Sequence, residues 1–238
     1  MGRWQNIAAS KGNKDAARGK VFTRFGREIV VAIKTGGGNN PDSNSKLREV
    51  IAKAKANNVP KDIINRAIKK ADEDTSASYE EVIYEGYGPN GVAVVVEAST
   101  NNKNRTVSDI RYCFDKNGGN LGNPGAVSFM FQRNGVLSVA KGNNFDEDVF
   151  TMLALDNGAE DVVVEDEEVQ VLTSVADFHN CSEALTNGGY KLTSAEIQYI
   201  PTTDAEINDA EQKAKFDKML QMLEDNDDVM NVWTNISE

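Results

Sequence analysis

Histidine occurs once in this chain, as His179, and cysteine twice, as Cys113 and Cys181. Zinc sites draw on clustered His and Cys ligands at short spacings, so this chain cannot assemble one of the usual kind. The two cysteines lie far apart with no C-x-x-C around either, which argues against a disulfide framework and fits a reduced compartment. A Ser-His-Asp or Cys-His arrangement would have to use His179. That residue sits in "VADFHNCSEAL", which reads as the first turns of an amphipathic helix. Cys181 is two residues on and would not share its face, so His179 reads as a partly exposed helix histidine. Long apolar runs are also missing: nothing approaches the roughly 18 residues of a membrane span. The opening "MGRWQNIAASKGNK" lacks the apolar region of a secretory signal, so a cytoplasmic protein is expected.

Positive charge is outnumbered overall, and its placement is uneven. The chain carries 26 Lys and Arg against 37 Asp and Glu, a net −11. Residues 1–70 alone hold 16 basic against 5 acidic residues, a net +11, which leaves −22 on the other 168. A basic head on an acidic body points to nucleic acid or another polyanion.

Helical spacing organises that charge. At about 100° per residue, Val21, Phe22, Phe25, Ile29 and Ile33 share one face. Lys20, Arg24, Arg27 and Lys34 form a stripe on the opposite side, while Arg18 projects towards the apolar side. A second helix begins with Asn44 or Ser45 as N-cap, turns Leu47, Val50, Ile51 and Ala54 inward, and carries Lys46, Arg48, Lys53 and Lys55 on its polar side. A third opens at Pro60 and buries Ile63, Ile64, Ala67 and Ile68, with Arg66, Lys69 and Lys70 outward. Lysine and arginine stripes of this kind neutralise phosphates and release counterions.

"DEDTSASYE" (72–80) is a polar linker, after which strand patterns take over. "EVIYEGYG" and "GVAVVVEAST" read as two strands joined by a tight turn at Pro89–Asn90–Gly91. "NRTVSDIRYCFDKNGG" reads as a helix with Val107, Ile110, Arg111 and Phe114 at helical spacing, and "GAVSFMF" as a third strand. From about residue 134 the order is β-α-β-β-α-β, the ferredoxin-like unit. Residues 205–238 then supply a helix and a last strand to the middle region. The expected fold class is α+β with three domains. These are a helical domain over 1–76, a discontinuous α/β middle domain over 77–133 plus 203–238, and a ferredoxin-like domain over 134–202 inserted into it.

Motifs for chemistry are weak. "GYGPNG" matches G-x-G-x-x-G, but a strand follows instead of a helix, so a hairpin turn is the better reading than a dinucleotide site. "NNKNRT", with Arg105, reads as a helix N-cap region, with phosphate binding by cations and helix amides as the alternative. "EDVVVEDEEVQ" and "EDNDDV" read as solvated acidic turns. No cofactor, metal or catalytic residue is expected.

Seven stretches in this order resemble the YebC/PmpR family, which includes relatives of a mitochondrial translational activator. They are the start with Trp4, "KDAARGKVFTRFGREI", "KLREVIAKAKANNVPKDIINRAIKKA", "YEGYGPNGVAVVVE", "NRTVSDIR", "GGNLGNPGAVSFMF" and "LEDNDDVMNVWTNI". The resemblance spans essentially the whole chain. It implies three domains with the third inserted in the second, and a non-enzymatic regulator. Family members are described as DNA-binding transcription regulators or as ribosome-associated translation factors. The "MGRW…FGREI" form resembles the translation-associated subgroup.

The combined expectation is a nucleic-acid-binding regulator, first of the RNA- and ribosome-associated kind, with a DNA-binding transcriptional regulator as the alternative. An enzyme with a site between the middle and third domains is a further alternative for which no motif speaks. The expected contacts are Arg3, Lys11, Lys14, Arg18, Lys20, Arg24, Arg27, Lys34, Lys53, Lys55, Arg66, Lys69 and Lys70. The acidic body is expected to meet protein partners, no membrane is involved, and a monomer is favoured.

Overall fold

A computed structural model of the chain describes residues 14–56, 59–73, 79–142 and 145–237. Three helices come first: α1 (Lys14–Gly36), α2 (Ser45–Ala56) and α3 (Lys61–Glu73). Phe25, Ile29, Leu47 and Ala54 are completely buried between them, with Ile64 and Ala67 from α3. The apolar spacing of the sequence thus becomes a core. Asn44 closes the loop between α1 and α2. Its Oδ1 accepts from the Leu47 amide at 3.0 Å, and its Nδ2 donates to the carbonyls of Ala32 and Gly38 at 2.8 and 2.7 Å. A Cβ at Gly36 would collide with this amide, so the helix ends on a residue that leaves room for it.

The next elements are β1 (Glu80–Tyr87), β2 (Ala93–Thr100), α4 (Lys103–Lys116) and the short β3 (Asn120–Leu121), joined later by α7 (Ala210–Glu224) and β8 (Val229–Thr234). They form one sheet in the order β3-β1-β2-β8 with every pair antiparallel. The β1–β2 connection is the expected hairpin turn. Asn90 (φ 59°) and Gly91 (φ 76°) occupy left-handed conformations, and the Gly88 amide donates to the Val92 carbonyl at 2.8 Å. Alternation along β2 sends Val94, Val96 and Ala98 towards α4 and α7, where Ile110, Phe114 and Phe216 meet them. On α4 the buried positions are Thr106, Ile110, Cys113 and Phe114, and Arg111 is exposed.

One expectation changes here. "GAVSFMF" is not a strand of this sheet. Residues 128–130 form a 3₁₀ turn, and Phe131 opens a strand of a different sheet. The reason is Glu85, which is buried. Its carboxylate accepts from the amides of Gly125, Val127 and Ser128 at 2.8, 2.9 and 2.8 Å, so these donors are satisfied by a side chain instead of a neighbouring strand. Burial pushes the Glu85 pKa up, but the three amides outweigh it and hold the carboxyl below its ordinary value.

The remaining elements are β4 (Phe131–Ala140), α5 (Glu147–Asp156), β5 (Ala159–Val164), β6 (Glu168–Ser174), α6 (Phe178–Asn187) and β7 (Leu192–Pro201). Their sheet has the order β5-β6-β4-β7, again fully antiparallel, which is the ferredoxin-like arrangement. Leu137, Val139, Val169 and Val171 pack against Phe150, Ala154, Phe178 and Cys181 of the two helices. Residues Phe131–Thr202 form one compact unit. The helical head and the middle sheet belong together in a second. No helix among the described residues is long and apolar enough to cross a membrane.

Candidate nucleic-acid interface

The head's cations divide into two groups. Lys34 on α1, Lys46, Arg48 and Lys55 on α2, and Lys61, Arg66 and Lys69 on α3 are exposed, as the outward sides of their helices require. Lys53 is half-buried and lies 3.5 Å from Glu49, one turn back. Arg3 and Lys11 lie outside the described residues. Lys14, Arg18, Lys20 and Lys70 fall within α1 and α3, with side chains outside the described set.

Arg24 and Arg27 behave otherwise, and here the expectation of an outward basic stripe needs correcting. Arg24 lies 3.3 Å from Glu28 and donates to Asn231 Oδ1 at 3.2 Å. Asn231 in turn donates to Glu97 Oε2 at 2.7 Å. Arg27 pairs with Asp228 at 3.0 Å, donates to the carbonyl of Asp227, and sits 5.8 Å from the centre of the Tyr79 ring. Its side chain keeps only 16% of its exposure. The polar side of α1 therefore faces the middle sheet here, and these two guanidinium groups are held by carboxylates and carbonyls of the same chain. A cation already neutralised in this way has little charge left for a phosphate.

Asp228 is the centre of that contact, although "EDNDDV" reads as a solvated acidic turn. Its side chain retains 5% exposure. Besides Arg27, it meets the Arg105 guanidinium at 2.7 Å, Thr106 Oγ1 at 2.7 Å and Thr100 Oγ1 at 3.3 Å. Burial alone would raise its pKa. Hydrogen bonds from Arg105 and Thr106 and the charges of Arg27 and Arg105 reverse this, so the carboxyl stays ionised below the ordinary aspartate range. Arg105 thus holds an aspartate. Asn102 takes the N-cap role read from "NNKNRT", its Oδ1 accepting from the Arg105 amide at 3.1 Å. Nothing local in the sequence distinguishes Asp228 from its acidic neighbours. Only the convergence of α1, β2, α4 and the turn before β8 does so. Lys46 and Arg48 were legible as polar-face cations but carry no special motif, and Lys61 at the start of α3 was not singled out by the sequence.

The His179 side chain is 75% exposed and faces Glu183 at 3.6 Å. Cys113 and Cys181 are buried thiols, and burial raises both pKa values, that of Cys181 to about 11. Among the described residues, no group of three or more His, Cys, Asp or Glu is placed to hold a metal ion.

A sequence model of the TACO1/YebC N-terminal domain matches residues 2–74, and one of the TACO1/YebC second and third domain matches 79–236. The chain belongs to the TACO1/YebC family. Relatives in that family include proteins of Clostridium botulinum and Clostridium acetobutylicum, each named a probable transcriptional regulatory protein. They are 53% and 51% identical to this chain, over 98% of it and 94% of their own length. The crystal structure of the conserved hypothetical protein Aq1575 from Aquifex aeolicus superposes with a TM-score of 0.84. It is 41% identical, over 99% of this chain and 97% of that one. Family membership accounts for the shared α+β fold.

Proposed function

We propose that this protein is a non-enzymatic, nucleic-acid-binding regulator of transcription in the cytoplasm, which holds DNA phosphates through the exposed cations of its helical head. The observation that carries this reading is the outward placement of Lys34, Lys55, Arg66 and Lys69 on a head of net +11. The names of the half-identical relatives favour transcription over the ribosome-associated role that the opening motif suggests. Lys53 and, by their charge, Arg3, Lys11, Lys14, Arg18, Lys20 and Lys70 belong to the same proposed surface. Arg24 and Arg27 do not, since they hold Asn231 and Asp228. Contacts to phosphate fix position without reading sequence. The −22 on the remainder of the chain repels bulk nucleic acid and confines binding to the head.

The test replaces Lys34, Lys55 and Arg66 together with Ala and titrates a promoter duplex at several salt concentrations. Binding should weaken, and the slope of log K against log salt should fall by about 2–3. An unchanged slope would exclude this surface. Footprinting on promoter DNA, run beside ribosome co-sedimentation, separates transcription from translation. Co-sedimentation without a footprint would move the role to the ribosome.

A further inference from the structure

The two helices of the ferredoxin-like unit pack on one core but present different outer faces. α6 follows the amphipathic rule: Phe178, Cys181 and Leu185 are buried, while His179, Asn180, Glu183 and Thr186 face solvent. α5 does not. Phe150 and Ala154 are buried, yet Val149, Met152 and Leu155 on the other side are 56%, 65% and 50% exposed. Half of the large exposed apolar side chains among the described residues lie on this one ten-residue helix. A helix that is apolar on both sides is ordinarily covered on both sides.

The charge around that stripe says what kind of surface covers it. Taking Met152 as the centre, Val149 and Leu155 lie three residues away, and Asp148 and Asp156 lie four away. Positions three and four apart are neighbours on a helix surface, so the methionine is ringed by two apolar and two acidic side chains. α5 contains no basic residue, and among the described residues Asp148 and Asp156 form no ion pair. Asp156 also sits in the last turn, where the helix dipole disfavours an acid. Among the described residues of the unit, neither acid has an ionic partner.

We infer that the outer face of α5 is a docking surface for a basic amphipathic helix of a partner protein, one with apolar anchors at i and i+3 or i+4 flanked by Lys or Arg. The apolar side chains seat the anchors, and the polarizable, unbranched Met152 adapts to their shape. Asp148 and Asp156 attract the flanking cations and set the orientation. The same carboxylates repel nucleic acid and anionic lipid. They also disfavour pairing of this face with its own copy, which would set acid against acid.

Two measurements on the full chain decide it. The first titrates an 18-residue Leu/Lys amphipathic peptide, a scrambled peptide of equal composition, and a Leu/Glu version, followed by amide NMR shifts. Shifts should centre on Val149, Met152 and Leu155 for the first peptide only. Met152→Glu, and separately Asp148→Lys with Asp156→Lys, should each weaken binding about tenfold or more. Melting temperatures confirm that these exposed substitutions leave the fold intact. Shifts centred elsewhere, equal binding of the scramble, or unaffected variants would overturn the inference. The second replaces Met152 with a photoreactive phenylalanine analogue, crosslinks in cells, and sequences the attached peptide. A Lys/Arg-rich apolar segment of another protein is expected. An adduct to nucleic acid, to lipid or to this chain itself, or no adduct, would overturn it.

Discussion

α1 and α5 break the same rule in opposite directions. α1 turns two arginines from its polar side into the body of the protein, whereas α5 turns three apolar side chains out of it. In α1 the exception is resolved inside the chain, because Asp228 and Asn231 receive the guanidinium groups. In α5 nothing among the described residues resolves it. The comparison teaches that a helical wheel sorts residues into sides but does not say which side meets solvent. A cation on the polar side can be a structural tie, and a leucine on the far side can be a waiting contact.

The largest expected effect comes from cutting the tie. Asp228→Ala leaves Arg27 and Arg105 without their carboxylate partner and opens a hole beside Thr100 and Thr106. It should cost about 3–5 kcal/mol in denaturant unfolding. If stability barely moves, the contact between α1 and the middle sheet is ornamental, and Arg27 returns to the pool of phosphate contacts. Glu85→Gln comes next, at about 2 kcal/mol, because an amide cannot replace a carboxylate that accepts three backbone donors. Both carboxyls are held below their ordinary pKa, so their stabilisation is full above the unfolded carboxylate range and is lost as pH falls through the folded values. The stability gap between the wild type and Asp228→Asn should therefore be widest above about pH 4–5 and should narrow in more acid solution. A gap that widens on acidification would contradict the assignment.

Asn44→Ala is expected to cost about 1–2 kcal/mol, since it removes the cap of α2 and the bonds that tie the loop to Ala32 of α1 and to Gly38. Smallest in stability is the triple replacement of Lys34, Lys55 and Arg66 with Ala, expected within about 0.5 kcal/mol of the wild type. Its effect should be confined to nucleic-acid affinity. That contrast sharpens the division of the head's charges. Arg27→Ala should lower stability first, and the exposed triple should lower binding alone.

Much of this was legible from residue spacing. Phe25, Ile29, Leu47, Ala54 and Ile64 are buried where their period places them, because a helix has only one face to give to a core. The β1–β2 hairpin followed from "GYGPNG", since Asn and Gly accept the left-handed conformations such a turn needs. The ferredoxin-like order was likewise readable from alternating periods. "GAVSFMF" was misleading for a physical reason. Its apolar alternation is present in the sequence but not in the burial, since Val127 and Phe131 are buried while Phe129 is exposed, and Glu85 takes the amides of Val127 and Ser128 that a strand would have paired.

The amino-acid sequence by itself determined the local elements, the concentration of positive charge in the first 70 residues and the antiparallel ferredoxin-like order. These depend on periodicity and composition, which are properties of neighbouring residues. Only the tertiary structure decided that Arg24 and Arg27 are ties, that Asp228 is buried among four partners, and that Met152 stands uncovered between two aspartates. Ionic and apolar contacts are settled by which surfaces meet, and residues as far apart as Arg27 and Asp228 are brought together only when the whole chain has folded.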